Sequence, residues 1–536
     1  MEHEQDDQPW WRGAVIYQIY PRSYLDTNGD GIGDLPGITA KLEYVASLGV
    51  SGIWISPFFT SPMKDFGYDV SDYCDVDPIF GTLADFDRLI EEAHAFGLKV
   101  VIDQVMSHTS DAHAWFAESR SSRTNAKSDW YVWRDARPDG TPPNNWQAVF
   151  GGAAWTWDAR RQQYYMHNFL SEQPQLNLHN EEVQDALLAA SRFWLERGVD
   201  GFRLDAINFS MFDPGFRDNP AWEVADRTIT RPFDLQHHVN NQSHADIPLY
   251  LERVRALTDE FGAVFTVAEV AGPDPLPEMR AFTVGDSRLN SAYNFDFLYA
   301  SSLTPGRVRR AQSNWMGPVE EGWPSWAFSN HDAPRCVSRW YDGADRNRFA
   351  KLTNALLSCL RGNPILYQGE ELGLPQAEVP FDKLQDPEAI ANWPLTLGRD
   401  GARTPMPWVS RAPVGGFTTG VPWLPMGQGH LEAAVDVQHG DSESVLNFTR
   451  RLLAVRGASG ALTEGDIEFE EVAAPLLAFR RSSGGETLLC IFNLGASAQA
   501  RPSCMPEDAR VLLAAGWDAD GMTGAVPEYS VWIGRT

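Results

Sequence analysis

The chain has 536 residues, with 72 acidic against 44 basic side chains and a formal charge of −28. A surface so negative repels phosphate backbones and anionic headgroups, so nucleic acid and membranes are excluded as expected partners. Apolar residues make up 43 % and aromatics 12 %, enough to bury a large core and still line a groove with rings, which argues against extended disorder.

The five cysteines, Cys74, Cys336, Cys359, Cys490 and Cys504, are widely spaced, with no CxxC or Cys/His cluster, and read as reduced, buried thiols. Met1 to Pro9 is acidic and polar, whereas a secretory leader would start basic and turn apolar. No run approaches the ~18 uninterrupted apolar residues of a membrane helix. The expectation is a soluble, cytoplasmic protein.

In chain order, short β-rich apolar runs occur at Ala14–Tyr20, Gly52–Ser56, Lys99–Val105, Gly198–Asp205, Val264–Glu269, Tyr293–Asp296, Trp326–Asn330 and Ile365–Gln368. Between them, Leu83–Phe96, Glu182–Arg197, Leu249–Glu260 and Phe349–Leu360 repeat apolar residues at helical spacing. Near-continuous apolar strands alternating with helices imply a parallel sheet covered on both faces. Eight units favour a closed (β/α)8 barrel of the α/β class, although a doubly wound open sheet gives a similar pattern. The expected barrel spans 1–109 and 181–456. Residues 110–180, rich in Trp, Asn, Gly and Pro, read as a subdomain inserted after the third strand, over the barrel mouth. From 457 to 536 the pattern becomes short alternating runs, which predicts a C-terminal antiparallel β-sandwich.

Asp103, Asp205, Glu269 and Asp332 each fall at or just beyond a predicted strand end, where such barrels carry their chemistry. Retaining glycoside hydrolysis needs two carboxyls ~5 to 5.5 Å apart, one attacking the anomeric carbon and one protonating the leaving oxygen. Neighbouring strand ends supply that spacing. Arg203 lies two residues before Asp205, on the same side of its strand, where a guanidinium keeps the carboxylate ionised. The apolar neighbours of Glu269 favour a raised pKa suited to acid work.

Taken together, Asp103–His108, Gly201–Asn208, Val267–Val270 and Phe328–Asp332, with Gln173–Asn177, resemble in order the conserved regions of the α-amylase superfamily of glycoside hydrolases, family 13. The resemblance is to its α-glucosidase and oligo-1,6-glucosidase branch and runs over nearly the whole chain. It implies Asp205 as nucleophile, Glu269 as general acid/base and Asp332 as the carboxylate that grips the sugar. It further implies that Asp69, His108, Arg203, His331 and Arg399 bind the terminal glucose and that Tyr68, Phe150 and Phe169 stack on it. Phe295 is assigned to the same sugar-contacting set. Arg399 and Arg403 share one segment, Gly398–Trp408, and the sequence does not say which of them touches sugar.

Asp26-Thr27-Asn28-Gly29-Asp30-Gly31-Ile32-Gly33-Asp34 sets oxygen-bearing side chains at alternate positions around glycines, as a loop wrapping a hard cation does. The EF-hand spacing fails, since Ile38-Thr39 stands where a Glu is needed, so an ordinary polar turn is the competing reading. The resemblance raises a structural Ca²⁺ or Mg²⁺ held by Asp26, Asn28, Asp30, Asp34 and the carbonyl of Ile32. The same glycines lack Walker or complete GxGxxG spacing, and no organic cofactor is expected.

In the branch resembled, the residue after the nucleophile tracks linkage: Val accompanies α-1,6 cleavage, and Ala or Thr accompanies α-1,4. Ala206 therefore predicts an α-1,4-glucosidase acting on maltose-sized α-glucosides, with hydroxyl compounds as transfer acceptors and a monomeric or homodimeric state. Sucrose- or trehalose-acting transferases and isomerases, oligo-1,6-glucosidases and endo-acting amylases share the fold and remain alternatives. A catalytically silent binding barrel is disfavoured by the complete carboxylate set.

Overall fold

The computed structural model describes residues 9–222, 231–272, 275–315, 321–341, 343, 345–396, 398–506, 510–517 and 524–535. Eight strands form a closed barrel: β1 (Ile16–Ile19), β2 (Gly52–Ile55), β3 (Lys99–Val105), β4 (Gly201–Asp205), β5 (Phe265–Val270), β6 (Ser291–Asn294), β7 (Trp323–Ala327) and β8 (Asn363–Tyr367). Each pairs in parallel with the next, and β8 closes on β1 through Ile16 opposite Ile365. Every barrel strand overlaps a predicted one. β7 ends three residues early because the Asn330 side chain accepts the amides of Asp332 and Ala333, so Phe328–Asp332 leaves the sheet as a turn.

The helices start where their caps allow. Thr82 and Asp85 exchange side-chain and backbone hydrogen bonds ahead of Leu83–Ala95, and Asn180 accepts the Glu182 amide ahead of Glu181–Glu196. Their apolar faces merge with the outer faces of the strands into one large core. A second cluster, Ile16, Trp54, Val101, Phe265, Val267, Tyr293, Ala327 and Ile365, draws on seven of the barrel strands, with Trp10 and Trp11 packed against Phe265.

The connection between β3 and β4 carries helix Ala114–Ser121 and a small antiparallel sheet of Trp133–Arg134, Gln163–Met166 and Trp155–Asp158, with Gln163–Met166 central. At the C-terminus, β9 (Asp466–Phe469), β10 (Leu476–Ser483), β11 (Glu486–Asn493), β12 (Arg510–Ala515) and β13 (Ser530–Arg535) form one antiparallel sheet in the order β9-β10-β11-β13-β12. This corrects the expected sandwich: among the described residues there is a single sheet here. Its second layer is borrowed. Phe479, Leu488, Cys490, Phe492 and Ile533 join the main core, while Leu489, Ile491 and Trp532 on the opposite face are covered by Met505 and Val526.

The cysteines also differ in part from expectation. All five are free, but only Cys336, Cys359 and Cys490 are buried, and Cys74 and Cys504 reach partly to solvent. Among the described residues no helix is long and apolar enough to cross a membrane.

Candidate active site

The two-residue period of β4 sends Arg203 and Asp205 to the same side, into the barrel. Strand register places Asp103 on β3 opposite Arg203. The fully buried guanidinium then gathers the acids around it. Its Nη1 donates to Asp103 Oδ1 and to Asp205 Oδ1, both at 2.6 Å, and its Nη2 lies 2.5 Å from Glu269 Oε1 on β5. Tyr293 on β6 accepts from the same group at 2.9 Å and donates to Glu269 Oε1 at 3.1 Å. Trp54 donates to Asp103 Oδ2 at 2.9 Å. Ala206 is left-handed, at φ 38 and ψ 41, and this turn directs its amide to Glu269 Oε2 at 3.0 Å.

Burial pushes both Asp205 and Glu269 up to about 7, and Arg203 pulls both back. Asp103 rises to about 6 for the same reason. Two carboxyls that share one cation and are both pushed up by burial are able to divide acid and nucleophile work between them.

Asp332 behaves differently. Burial alone would raise it, but the cations Arg403 and Arg399 hold its carboxyl well below the usual range. Arg403 Nη2 donates to its Oδ1 at 2.8 Å, and His331 Nε2 lies 3.1 Å from its Oδ2. Gln18 contacts His331 Nδ1 at 2.8 Å and Tyr68 contacts Nε2 at 2.6 Å. Burial lowers His331 to about 3, so the ring stays neutral.

Above these groups lies a cavity of about 340 Å³, within the range of small-molecule sites. Asp205, Glu269 and Asp332 line it together with Tyr68, His108, Phe150, Phe169, Ala206, Phe295 and Arg399. Arg203, His331 and Arg403 do not: they stand behind the lining and orient its carboxylates. Arg399 is therefore the arginine that faces the cavity, with its guanidinium over Phe150 at 4.9 Å.

Asp69 is a correction. It is fully buried away from the cavity, where it accepts from Ser61 Oγ and from the amides of Lys64 and Asp65 at 2.8 to 2.9 Å. Asp65 takes the place expected of it, lining the cavity with Arg399 Nη2 at 2.8 Å and Gln173 Nε2 at 3.2 Å. The positive φ of Phe66 (53) and Gly67 (109) makes the turn that faces Asp65 and Tyr68 to the cavity and tucks Asp69 beneath them. Both acids sit in one motif, and only the turn separates them. Sequence reading also missed Tyr293, which a period of two along β6 brings to the side of Phe295. It missed Asp386, which clamps Arg399 at 2.8 Å, and the Arg231–Glu388 pair on the rim at 2.9 Å, for which no periodic signal exists.

In the Asp26–Asp34 loop, Asp26 accepts the amides of Asn28, Gly29 and Gly31 at 2.7 to 3.0 Å. Asn28 and Asp30 accept those of Asp30 and Ile32 at 2.9 and 2.8 Å. Burial, and to a smaller degree the neighbouring charge of Asp26, raises Asp34. A divalent cation would relieve that repulsion, and the donors are all oxygen, so the residues fit a hard ion in kind.

A (β/α)8 barrel that collects three carboxylates at the floor of a ring-lined cavity has the build of a glycoside hydrolase. The chain belongs to the alpha-amylase family: the family described as "Alpha amylase, catalytic domain" matches residues 18–465, and within it the chain falls in the α-glucosidase and oligo-1,6-glucosidase branch. It is 56 % identical over 504 residues to a probable alpha-glucosidase of Rhizobium meliloti (strain 1021), covering 93 % of this chain and 91 % of that one. It is 37 % identical to an oligo-1,6-glucosidase of Heyndrickxia coagulans, covering 98 % and 99 %. Among solved structures, the alpha-glucosyl transfer enzyme XgtA superposes with a TM-score of 0.92 at 51 % identity, covering 99 % of this chain and all of the other. The trehalulose synthase MutB from Pseudomonas mesoacidophila MX-45 gives 0.89 at 32 %, with 99 % and 100 % covered.

The two acids of the Asp65–Asp69 turn are expected to part on substitution. Asp65→Asn should lower kcat/KM by roughly 10- to 150-fold, the loss of a charged hydrogen bond to substrate, with little change in melting temperature. Asp69→Asn should lower the melting temperature and spare kcat/KM. The reverse pattern in steady-state kinetics and thermal melts would overturn the assignment.

Proposed function

We propose that this hydrolase removes the terminal α-1,4-linked glucose from maltose-sized substrates with retention of configuration, through a glucosyl ester on Asp205, and passes part of that glucose to hydroxyl acceptors. The observation that carries the reading is the shared guanidinium. Adjacent nitrogens of Arg203 touch Asp205 and Glu269 at 2.6 and 2.5 Å, which keeps the two carboxyls close, as retention demands. An inverting pair stands wider apart to admit a water.

In this mechanism Asp65 and Arg399 hold the hydroxyls of the glucose in the cavity, beside Phe150 and Phe169. Asp332, fixed in its ionised form, binds the ring hydroxyls and favours the flattened transition state. Asp205 attacks the anomeric carbon as the glycosidic bond breaks, and Glu269 delivers its proton to the departing oxygen. Glu269 then takes a proton from an incoming hydroxyl, whose oxygen attacks the anomeric carbon and breaks its bond to the Asp205 carboxylate. When the hydroxyl belongs to water the step is hydrolysis; when it belongs to a sugar or another alcohol it is transfer. The similarity to a glucosyl transfer enzyme supports the second outcome. The small side chain of Ala206, which lines the cavity beside Asp205, supports α-1,4 selectivity by leaving room for the aglycone. Following maltose, isomaltose, sucrose and trehalose by proton NMR tests the linkage directly. Maltose should be consumed fastest, releasing α-glucose first; faster turnover of isomaltose or sucrose would defeat the assignment.

We also propose that Asp26, Asn28, Asp30, Asp34 and the carbonyl of Ile32 hold a structural Ca²⁺ or Mg²⁺. Bound there, the ion would neutralise the loop's carboxylates and brace helix Leu35–Thr39, whose N-terminus Asp34 caps. After chelation the thermal midpoint should fall, and it should recover on adding back Ca²⁺ but not in Asp30→Ala. An unchanged midpoint would count against the site.

A further inference from the structure

Two segments far apart in sequence meet at a polar cluster that the reaction does not use. His179 precedes helix Glu181–Glu196, and His244 and Asp246 lead into helix Ile247–Asp259. One ligand atom from each residue lies within 4.8 Å of the other two, and the two imidazoles stand edge to face at 5.0 Å. Both rings are half-buried and Asp246 is exposed, so the cluster is open to solutes.

The hydrogen bonding sets one ring in a ligand-ready form. His179 Nε2 faces the Phe212 carbonyl at 2.8 Å. A carbonyl only accepts, so Nε2 carries the ring proton and Nδ1 keeps its lone pair. Metal-binding histidines are oriented in this way, with a backbone carbonyl on one nitrogen and the ion on the other. His244 Nδ1 lies 3.7 Å from Asp246 Oδ2. Two ligands bound at ~2.0 to 2.1 Å around a tetrahedral ion sit about 3.4 Å apart, so only a small adjustment separates this pair from a coordinated one. The competing contact of Nδ1, the Asp246 amide at 3.2 Å, is long and readily exchanged.

We propose that His179, His244 and Asp246 form a site for a borderline divalent cation of the Zn²⁺ type, with water completing the coordination. Two imidazole nitrogens disfavour Ca²⁺ and Mg²⁺, which sets this site apart from the oxygen-only Asp26–Asp34 loop. Its effect is structural. An ion there joins the starts of two helices to the chain that follows β4, through the Phe212 carbonyl. It also steadies Ser243, next to His244, whose amide bonds the Asn208 carbonyl at 2.6 Å, three residues past the nucleophile.

The test is ZnCl2 titration of the chelated full-length protein by calorimetry, with thermal melts and Co²⁺ substitution alongside. The site is supported if about one equivalent of Zn²⁺ binds, the melting midpoint rises, and Co²⁺ gives the intense visible bands of a tetrahedral centre. His179→Gln and His244→Gln should each weaken binding at least about tenfold and abolish those bands. Their metal-free far-UV spectrum and maltose turnover should match the parent, which separates a lost ligand from a lost fold. Asp246→Asn, on the surface, provides a milder third variant. Zn²⁺ bound as tightly by both histidine variants, or no Zn²⁺ binding by the parent, would overturn the proposal, whatever the outcome of the glucosidase assignment.

Discussion

One buried cation organises this molecule. Arg203 is fully enclosed and touches Asp103, Asp205 and Glu269 at once, so three acids from three strands depend on a single positive charge. Removing that many carboxylates from water is costly, and one guanidinium cannot neutralise them all. The imbalance is chemically useful. It leaves Asp205 and Glu269 titrating near neutrality, where one can stay protonated while the other attacks. Asp332 escapes by recruiting its own cations, Arg403 and Arg399, and stays charged.

That arrangement is possible only because a closed parallel barrel brings consecutive strands into register. Arg203 pairs with Asp103 on one side and Val267 on the other, and the pleat places Asp205 and Glu269 one step further toward the mouth. The neutral rings of His331 and His108 pack among these charges and add none of their own. Asp65 and Asp386 in turn hold Arg399 against the wall, so the cavity is shaped by ion pairs anchored on loops and the floor by ion pairs anchored on strands.

What the sequence disclosed follows the same division. Strands and the carboxylates at their ends were legible because apolar runs and a period of two carry both signals at once. Leu83–Ala95 and Glu181–Glu196 were legible because caps and apolar spacing agree at their starts. Loops carried no comparable signal. Asp65 and Asp69 are chemically identical and four residues apart, and only the left-handed turn at Phe66 and Gly67 decides which faces the cavity. Arg203, His331 and Arg403 were read as sugar contacts, but they stand behind the cavity lining, at a depth set by packing that no single-chain pattern encodes. The C-terminal sheet was misjudged as a sandwich because alternation reveals that a face is covered and not what covers it.

The central claim is that Asp205, held by Arg203, forms a covalent bond to glucose. It is tested most directly by mass spectrometry of the protein after exposure to a fluorinated α-glucosyl fluoride that forms the ester quickly and loses it slowly. A single glucosyl adduct mapped to the peptide containing Asp205, and absent in Asp205→Asn, is the expected result. An active enzyme that carries no adduct, or carries it on another residue, would contradict the account.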